Sequence, residues 1–318
     1  HLCADPQRHA GTGSRRPHPM IGRTRFVSDD WSEWLAFHDK WVKRGPEYYL
    51  TNRAYFDWAF LHNPYNPTPG RYQFSLWRHE DEIVGYIGRI WAPMRVQGTK
   101  RLCLWQETSY VRPDMRGKGV GTQMYAWVAG EDVTGNIQGV KQPQVDRVLE
   151  KTLTQPMRRE CMQRAVLRHE QFKVAAALAH WSDIMTFAGD GYTCDDVDWP
   201  TWASRLNLDR YGVTTHRSAR WLRWRFVDHP IRGYRLIASP KAVAIVRIEP
   251  PLLRIVDLWG ERVEEVERLL RAVVEYAMVR EVEAVDFLCT GWPDAEAFDA
   301  LGFERWTGEE MNQLPMLF

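Results

Sequence analysis

The sequence lacks long apolar runs, paired cysteines and an excess of charge of either sign. No stretch approaches the roughly 20 apolar residues of a membrane span, and no apolar signal-peptide core is visible. Lysine plus arginine (42) nearly balances aspartate plus glutamate (41), so no global field draws the chain to nucleic acid or to a membrane surface. We therefore expect a cytoplasmic protein without a nucleic-acid or membrane partner.

The five cysteines are scattered and show neither CxxC nor Cys/His ligand spacing. They are Cys3, Cys103, Cys161, Cys194 and Cys289. An odd, dispersed set predicts free thiols in a reducing compartment, and it predicts no metal site.

The composition is that of a globular protein, with 44% apolar and 26% charged residues. A length of 318 residues is comfortable for two domains. The 16 tryptophans, with 12 tyrosines and 12 phenylalanines, indicate large cores or an aromatic-lined cleft, because each ring buries about 150–250 Å². Residues 1–20 are polar and without periodicity, and we expect a disordered tail or an artificial leader, with Met20 a candidate start.

From Arg25 onward the pattern becomes regular. Helical periodicity predicts two helices, alternation predicts three strands, and a glycine cluster opens a third helix. The predicted helices are Trp31–Val42, Asn52–Leu61 and Gly119–Ala129, and the predicted strands are Arg71–Trp77, Glu82–Ile90 and Leu102–Val111.

The stretch 131–170 is the least regular. It favours helices over Val145–Thr154 and Arg159–His169, and Phe172–Ala179 favours a strand. The arginines of residues 158–168 are interpreted either as a solvated helix face or as a binding site for a nucleotide-linked or phosphorylated acceptor.

The sequence contains a weak internal repeat. YFDWAFLHNP (55–64) aligns without gaps on WLRWRFVDHP (221–230), and VGYIGRI (84–90) resembles AVAIVRI (242–248). In both halves an apolar strand and then a helix follow. The repeat predicts a duplication, with domains at 21–200 and 201–318.

The segment that carries chemistry is YVRPDMRGKGVGT, residues 110–122. A strand ends at Val111, Pro113 prevents its continuation, and three alternating glycines lead into a helix. Glycines let backbone N–H groups converge, and the helix start adds partial positive charge, so this junction is suited to bind phosphate. The order GxxxxGK[ST] of a P-loop is absent, and the spacing differs from the dinucleotide fingerprint.

This segment resembles the signature of the GNAT superfamily of acetyltransferases, in which Arg116, Gly119 and Gly121 fill the diagnostic positions. The resemblance covers residues 25–192. It implies an α/β fold with a mixed, mostly antiparallel sheet flanked by helices, here in two tandem copies. It also implies acetyl-CoA, or another acyl-CoA, as co-substrate and no metal.

The resemblance assigns CoA-binding roles to two sets of residues. Ser109, Tyr110 and Val111 are expected to bond the pantetheine amides through the backbone. The pyrophosphate is expected to be wrapped by Arg116, Gly117, Lys118, Gly119, Val120, Gly121 and Thr122. The second half resembles a repeat with a degenerate loop, because WGERVEE (259–265) has no glycine cluster and carries three acids.

Transfer to an amine requires a neutral nucleophile, so a carboxylate near the reacting carbonyl must take a proton. Glu107 is the candidate base. Strand alternation would put Glu107, Ser109 and Val111 on one face and Gln106, Thr108 and Tyr110 on the other. Family members commonly protonate the leaving thiolate with a tyrosine, but Phe187 and Phe298 stand at that position. Tyr110, Tyr192 or solvent are the substitutes.

The leading interpretation is an N-acetyltransferase acting on a primary amine of a small molecule. The resemblance to GNAT proteins of surface-polysaccharide metabolism makes an amino sugar, including a nucleotide-linked one, the first acceptor candidate. A peptide or protein amine and a non-catalytic acyl-CoA sensor remain alternatives.

Overall fold

A computed structural model describes residues 21–45, 48–129, 136–138, 162–172, 192–206, 209–290 and 294–307 of the chain. Two sheets organise this part. The first sheet has the strand order β1-β2-β3-β4-β5, and β8 adds to β3 farther along that strand. Its strands are β1 (Gly22–Arg25), β2 (Phe74–His79), β3 (Glu82–Val96), β4 (Thr99–Val111), β5 (Asn136–Gln138) and β8 (Val213–Thr215).

Within the described residues, three helices flank the first sheet. They are α1 (Trp31–Phe37), which continues as a π-helical turn over His38–Val42, α2 (Arg53–Phe60) and α3 (Val120–Ala129). Helix α2 begins where the Asn52 side chain accepts a hydrogen bond from the N–H of Tyr55 (3.1 Å), which satisfies one of the free donors of its first turn. The three predicted helices and three predicted strands of residues 31–129 are therefore confirmed, with boundaries moved by a few residues.

The second sheet has the order β13-β6-β12-β11-β10-β9-β7. Its strands are β6 (Met162–Arg168), β7 (Tyr192–Thr193), β9 (Arg235–Ser239), β10 (Ala242–Glu249), β11 (Leu252–Gly260), β12 (Ala284–Thr290) and β13 (Glu304–Trp306). The described helices of this half are α4 (Trp199–Arg205), α5 (Ala219–Phe226), α6 (Val263–Val279) and α7 (Ala295–Ala300). Strand β6 precedes residue 200 but lies in this second sheet, antiparallel to β12 and β13.

The two sheets share one local plan. Strands β2, β3 and β4 are consecutive and antiparallel, and β5 pairs parallel to β4. Strands β9, β10 and β11 are likewise antiparallel, and β12 pairs parallel to β11. A helix stands between the third and fourth strand of each set, α3 in one and α6 in the other. A helix also precedes each set, with a capping side chain at Asn52 or Ser218.

Helices α2 and α5 meet through aligned tryptophans. The Trp58 and Trp224 rings stack with centroids 4.4 Å apart and planes 11° from parallel. Each indole N–H donates to the other residue's backbone carbonyl, at 2.9 Å from Trp58 and 3.3 Å from Trp224. Both side chains are buried in one aromatic core that spans the two halves, so α5 is held against the first sheet's helical face.

The helix predicted over Arg159–His169 is wrong, because Met162–Arg168 forms β6. Of the arginines there, Arg164 and Arg168 lie in this strand and not on a helix face, and Arg158 and Arg159 fall outside the described residues. Arg164 is fully buried and bonds Asp286 of the neighbouring strand at 2.5 Å. A buried guanidinium requires such a partner, and strand pairing across β6 and β12 supplies it. The predictions at Val145–Thr154, Phe187 and most of Phe172–Ala179 fall outside the described residues.

Candidate active site

The loop between β4 and α3 has the conformation that its glycines predict. Gly117 and Gly119 adopt φ of +78° and +83°, a region that residues with a Cβ rarely enter. Helix α3 starts at Val120, and the Gly119 carbonyl accepts the N–H of Gln123 at 3.0 Å. The first N–H groups of α3 have no acceptor within the helix, and they stand beside the loop with the positive end of the helix dipole.

Arg112, which was not predicted as a site residue, fixes the start of this loop. Its guanidinium bonds Asp114 (2.7 Å) and Glu82 (2.7 Å), and its N–H donates to the Val84 carbonyl at 2.9 Å. Hydrogen bonds from Arg112 lower the pKa of the Glu82 and Asp114 carboxyls below their ordinary values. The loop is thereby tied to β3 before the glycines begin. The signal was the first arginine of the RPDMR segment (112–116), because only the second, Arg116, was singled out.

The two loop cations differ in what they contact. Arg116 is exposed, and its Nε donates to the Val111 carbonyl at 3.3 Å. Its guanidinium lies 5.9 Å from the centre of the Tyr110 ring. The Lys118 amine approaches Met115 Sδ at 3.7 Å. Thr122, on the first turn of α3, is exposed.

A β-bulge in β4 corrects the predicted alternation of faces. Gly88 of β3 pairs with Thr108 and Arg89 pairs with Gln106, so Glu107 is the additional residue. Glu107 and Tyr110 consequently both contact the side of the sheet that carries α1 and α2. Gln106 and Ser109 face α3 instead.

The α3 side of β4 is organised by Tyr125. Its hydroxyl accepts a hydrogen bond from the Gln106 side chain (2.9 Å) and lies 3.1 Å from Ser109 Oγ. Among the described residues, β4 pairs with β5 only over Leu104–Gln106. On that edge the backbone of residues 109–111 therefore has no strand partner in the described part of the chain, while β3 pairs with its other edge.

The Glu107 carboxyl group is buried, although the residue as a whole is half-buried. It accepts a hydrogen bond from the hydroxyl of Tyr55 on α2 at 3.0 Å. Burial raises the pKa of Glu107 above its ordinary value of 4.5, and the Tyr55 hydrogen bond and the charge of Arg225 act in the opposite direction. A raised pKa brings a carboxylate closer to the basicity that proton abstraction needs.

Tyr110 has a defined partner. Its hydroxyl donates to the Trp41 carbonyl at 2.8 Å, and its ring stacks on Tyr86 with centroids 5.8 Å apart. Tyr192 lies in β7, which pairs with β9 of the second sheet.

Two residues near Glu107 were not singled out from the sequence. Tyr55 stands where the second copy of the repeat has Trp221, and Arg225 stands where the first copy has Ala59. The sequence offered one signal for them: the two similar segments differ at these positions, by a hydroxyl at Tyr55 and by a charge at Arg225.

Replacing Tyr55 with phenylalanine is expected to move the acid limb of the pH–rate profile to higher pH. The lost hydrogen bond stabilised the carboxylate, so the pKa of Glu107 rises further and a higher pH is needed to deprotonate it. The measurement is kcat/KM from pH 4 to 8. A limb that stays in place or moves to lower pH would remove Tyr55 from the titration of the base.

The corresponding junction of the second half is filled by side chains. Arg210 donates to the Gly260 carbonyl at 2.8 Å and pairs with Asp294. The Gly260 N–H donates to the Tyr211 hydroxyl at 3.4 Å, and a Cβ at Gly260 would meet Val266 at 2.7 Å. Glu265 is buried and pairs with Arg262 and Arg268.

Comparison with known proteins agrees with this geometry. Residues 29–133 match the acetyltransferase (GNAT) family model, which is about a third of the chain and contains the loop and Glu107. No curated protein matches the sequence.

Three solved structures show the likeness of fold. A conserved Enterococcus faecalis protein of unknown function, named a probable N-acyltransferase, aligns with TM-score 0.55 and 11% identity over 85% of this chain and 66% of its own. A candidate acetyltransferase from Pyrococcus horikoshii aligns with TM-score 0.53 and 11% identity over 98% and 94%. Saccharomyces cerevisiae N-myristoyltransferase, solved with bound myristoyl-CoA and inhibitors, aligns with TM-score 0.51 and 11% identity over 91% and 79%.

The chain therefore has an α/β fold of mixed, mostly antiparallel sheets like that of these three structures, and its residues 29–133 match the acetyltransferase (GNAT) family model. It spans just under two thirds of the Enterococcus protein, and identities of 11% show the fold alone. Within the described residues, no group of three or more His, Cys, Asp or Glu is placed to hold a metal. No described helix is long and apolar enough to cross a membrane.

Proposed function

We propose that this chain is an acyl-CoA-dependent N-acetyltransferase that moves an acetyl group from acetyl-CoA to a primary amine. The observation that carries the proposal is the adjacency of two features on β4. The glycine loop follows its end at Val111, and Glu107, with a raised pKa, lies four residues before that end. One strand thus connects a site suited to phosphate with a site suited to proton abstraction.

CoA is the substrate whose chemistry fits the loop side of β4. The positive φ of Gly117 and Gly119 and the free N–H groups at the start of α3 suit a pyrophosphate. Arg116 and Lys118 add positive charge, and Thr122 adds an exposed hydroxyl. Among the described residues, the β4 edge at Ser109, Tyr110 and Val111 has no strand partner, and its backbone offers amide hydrogen bonds to the pantetheine arm.

Glu107 acts as the general base in this proposal. Its carboxylate takes a proton from the acceptor's ammonium group, directly or through one water. The neutral amine then attacks the thioester carbonyl and its nitrogen loses a second proton to solvent, the carbon–sulfur bond breaks, and the thiolate is released and protonated. Tyr110 was the sequence candidate for that proton. Because its hydroxyl is committed to the Trp41 carbonyl, we assign the proton to solvent and Tyr110 to packing against the base's side of the sheet.

The domain organisation is also a proposal. We infer two related units, the second without a CoA loop, from the matching strand order, the aligned helix caps and the reciprocal Trp58–Trp224 pair. At the second junction Arg210 bonds the Gly260 carbonyl and the Gly260 N–H bonds Tyr211, and the sequence there has no glycine cluster. Helix α5 of the second unit packs on α2, which carries the Tyr55 that bonds Glu107, so we infer that the second unit contributes a wall of the acceptor site.

The proposal is tested by mixing the protein with acetyl-CoA and a panel of amines and following free thiol. The panel includes amino sugars, nucleotide-linked amino sugars, amino acids and peptides. Amine-dependent thiol release with an acetylated product is expected. Saturable CoA binding without transfer to any amine would favour an acyl-CoA sensor, and failure to bind CoA would contradict both functions.

A further inference from the structure

Arg225 lies at the meeting of the two halves, close to the proposed base. It belongs to α5, and its guanidinium is 5.9 Å from the centre of the Trp58 ring. Trp58 contacts the Tyr55 ring at a centroid distance of 5.3 Å, and Tyr55 donates to Glu107. The second half thus places a cation in the surroundings of Glu107.

Within the described part of the chain, Arg225 forms no hydrogen bond and no ion pair within 4 Å. It is half-buried, and a guanidinium carries five N–H donors in a planar fork. Leaving such a group without an acceptor is unfavourable where solvent is restricted. Its neighbour on the same helix, Arg223, is exposed and lies 3.6 Å from Asp228.

The surroundings of Arg225 offer further donors. His229 is buried between the Trp58 ring (centroids 4.3 Å) and the Tyr55 ring (5.7 Å). Its Nδ1 accepts the N–H of Ile231 at 3.4 Å, so in the neutral ring the proton lies on Nε2. Burial, followed by the charges of Arg225, Arg247 and Arg232, lowers the pKa of His229 to about 3.

One carboxylate balances two of these arginines. Glu249 lies 2.8 Å from Arg247 and 3.9 Å from Arg232. Arg225 has no such carboxylate among the described residues, and its attraction to Glu107 acts over a longer distance. An anion beside Arg225 would give its guanidinium a charge-assisted partner and would offset the concentration of positive charge.

We propose that the acceptor is an amine that also carries a carboxylate or a phosphate, and that Arg225 binds this anionic group while the amine lies at Glu107. This inference rests on the proposed function and specifies its substrate class. Arg225 is a specificity-determining residue. The first half of the chain supplies the negative group of the site, Glu107, and the second half supplies the positive group, Arg225. The charge pair selects acceptors that are positive at one end and negative at the other.

The test uses matched acceptors that differ in the anionic group. Glucosamine 6-phosphate is compared with glucosamine, and an α-amino acid with its carboxamide, in wild type, Arg225→Gln and Arg225→Lys. Arg223→Gln is the control, because it removes the same charge from an exposed position of the same helix. We expect kcat/KM to favour one anionic member by about 10- to 100-fold, the range of charge-assisted hydrogen bonds.

In Arg225→Gln this preference should fall to about 1, as expected when a charge-assisted bond is lost, while Arg223→Gln should retain it and Arg225→Lys should retain part. The phosphate pair and the carboxylate pair identify which anion is recognised. Equal rates within both pairs in wild type, or a preference that survives Arg225→Gln, would overturn the inference.

A binding measurement separates this inference from the proposed function. The same anionic amines are titrated by calorimetry into the CoA-bound protein. Saturable binding that Arg225→Gln abolishes and Arg223→Gln leaves intact would uphold the anion site even if no acetyl group were transferred. Absence of binding together with absence of selective transfer would contradict it.

Discussion

Gly121→Asp is expected to lower CoA affinity by about 100-fold or more. The carboxylate would lie in the first turn of α3, where the proposal places the pyrophosphate, and unit charges about 4 Å apart repel by roughly 1 to 4 kcal/mol between bulk water and a protein surface. The measurement is the Kd for acetyl-CoA by isothermal calorimetry.

Gly121→Ala is the matched control for this substitution. Gly121 lies within α3 and does not hold a positive φ, and a Cβ there would meet only Val111 Cγ2, at 3.8 Å. The alanine variant should therefore fold and keep CoA affinity within a few-fold of wild type, which makes charge the only large difference. Gly119 is unsuitable for this comparison, because any side chain is strained at φ +83°. Unchanged affinity in Gly121→Asp would mean that the loop does not hold the pyrophosphate.

Glu107→Gln is expected to reduce kcat/KM by about 100- to 1,000-fold while leaving CoA affinity nearly unchanged, since general-base catalysis contributes about 10²–10⁴-fold. Glutamine keeps the shape and still accepts the Tyr55 hydrogen bond, but it cannot take a proton. Glu264→Gln, on an exposed face of α6, is the control for loss of one negative charge. Equal rates in Glu107→Gln and wild type across the pH range would remove Glu107 from the mechanism.

Glu107→Gln is expected to raise the stability of the fold at neutral pH, although it lowers activity. Because burial raises the folded-state pKa of Glu107, the folded protein holds this proton more tightly than the unfolded chain does. The protonated carboxyl favours folding at low pH, and that contribution is lost as pH rises through the folded pKa. Glu107→Gln should therefore raise Tm at neutral pH, and the difference should vanish at acid pH. A lower Tm at neutral pH would indicate that the carboxylate is well compensated in the fold.

The sequence predicted those parts of the fold that local patterns determine. The glycine spacing at residues 117–121 predicted the loop and the start of α3, because positive φ at Gly117 and Gly119 is a local property of the backbone. The two tryptophans that the repeat aligns, Trp58 and Trp224, contact each other reciprocally, while the duplication itself stays a prediction. Strand and helix order between residues 31 and 129 followed from periodicity.

The parts of the fold that depend on pairing between distant segments could not be predicted from the sequence. The bulge at Glu107 arises from the register of β4 against β3, and strict alternation gave the wrong faces beyond it. Arg164 belongs to a segment with helical propensity, yet this segment forms a strand. In the strand the buried Arg164 side chain bonds Asp286, 122 residues later. Arg225 and Glu107 come from different halves of the chain. Only the packing of α5 on α2 places them near each other.

The measurement that tests the central claim most directly is hydrogen exchange of the backbone amides with and without acetyl-CoA, because it needs no knowledge of the acceptor. The account predicts saturable protection of residues 109–111 and 116–122, and no comparable change at residues 259–265 of the second half. Protection confined to other segments, or no change at saturating acetyl-CoA, would contradict the assignment of the β4–α3 loop as the CoA site.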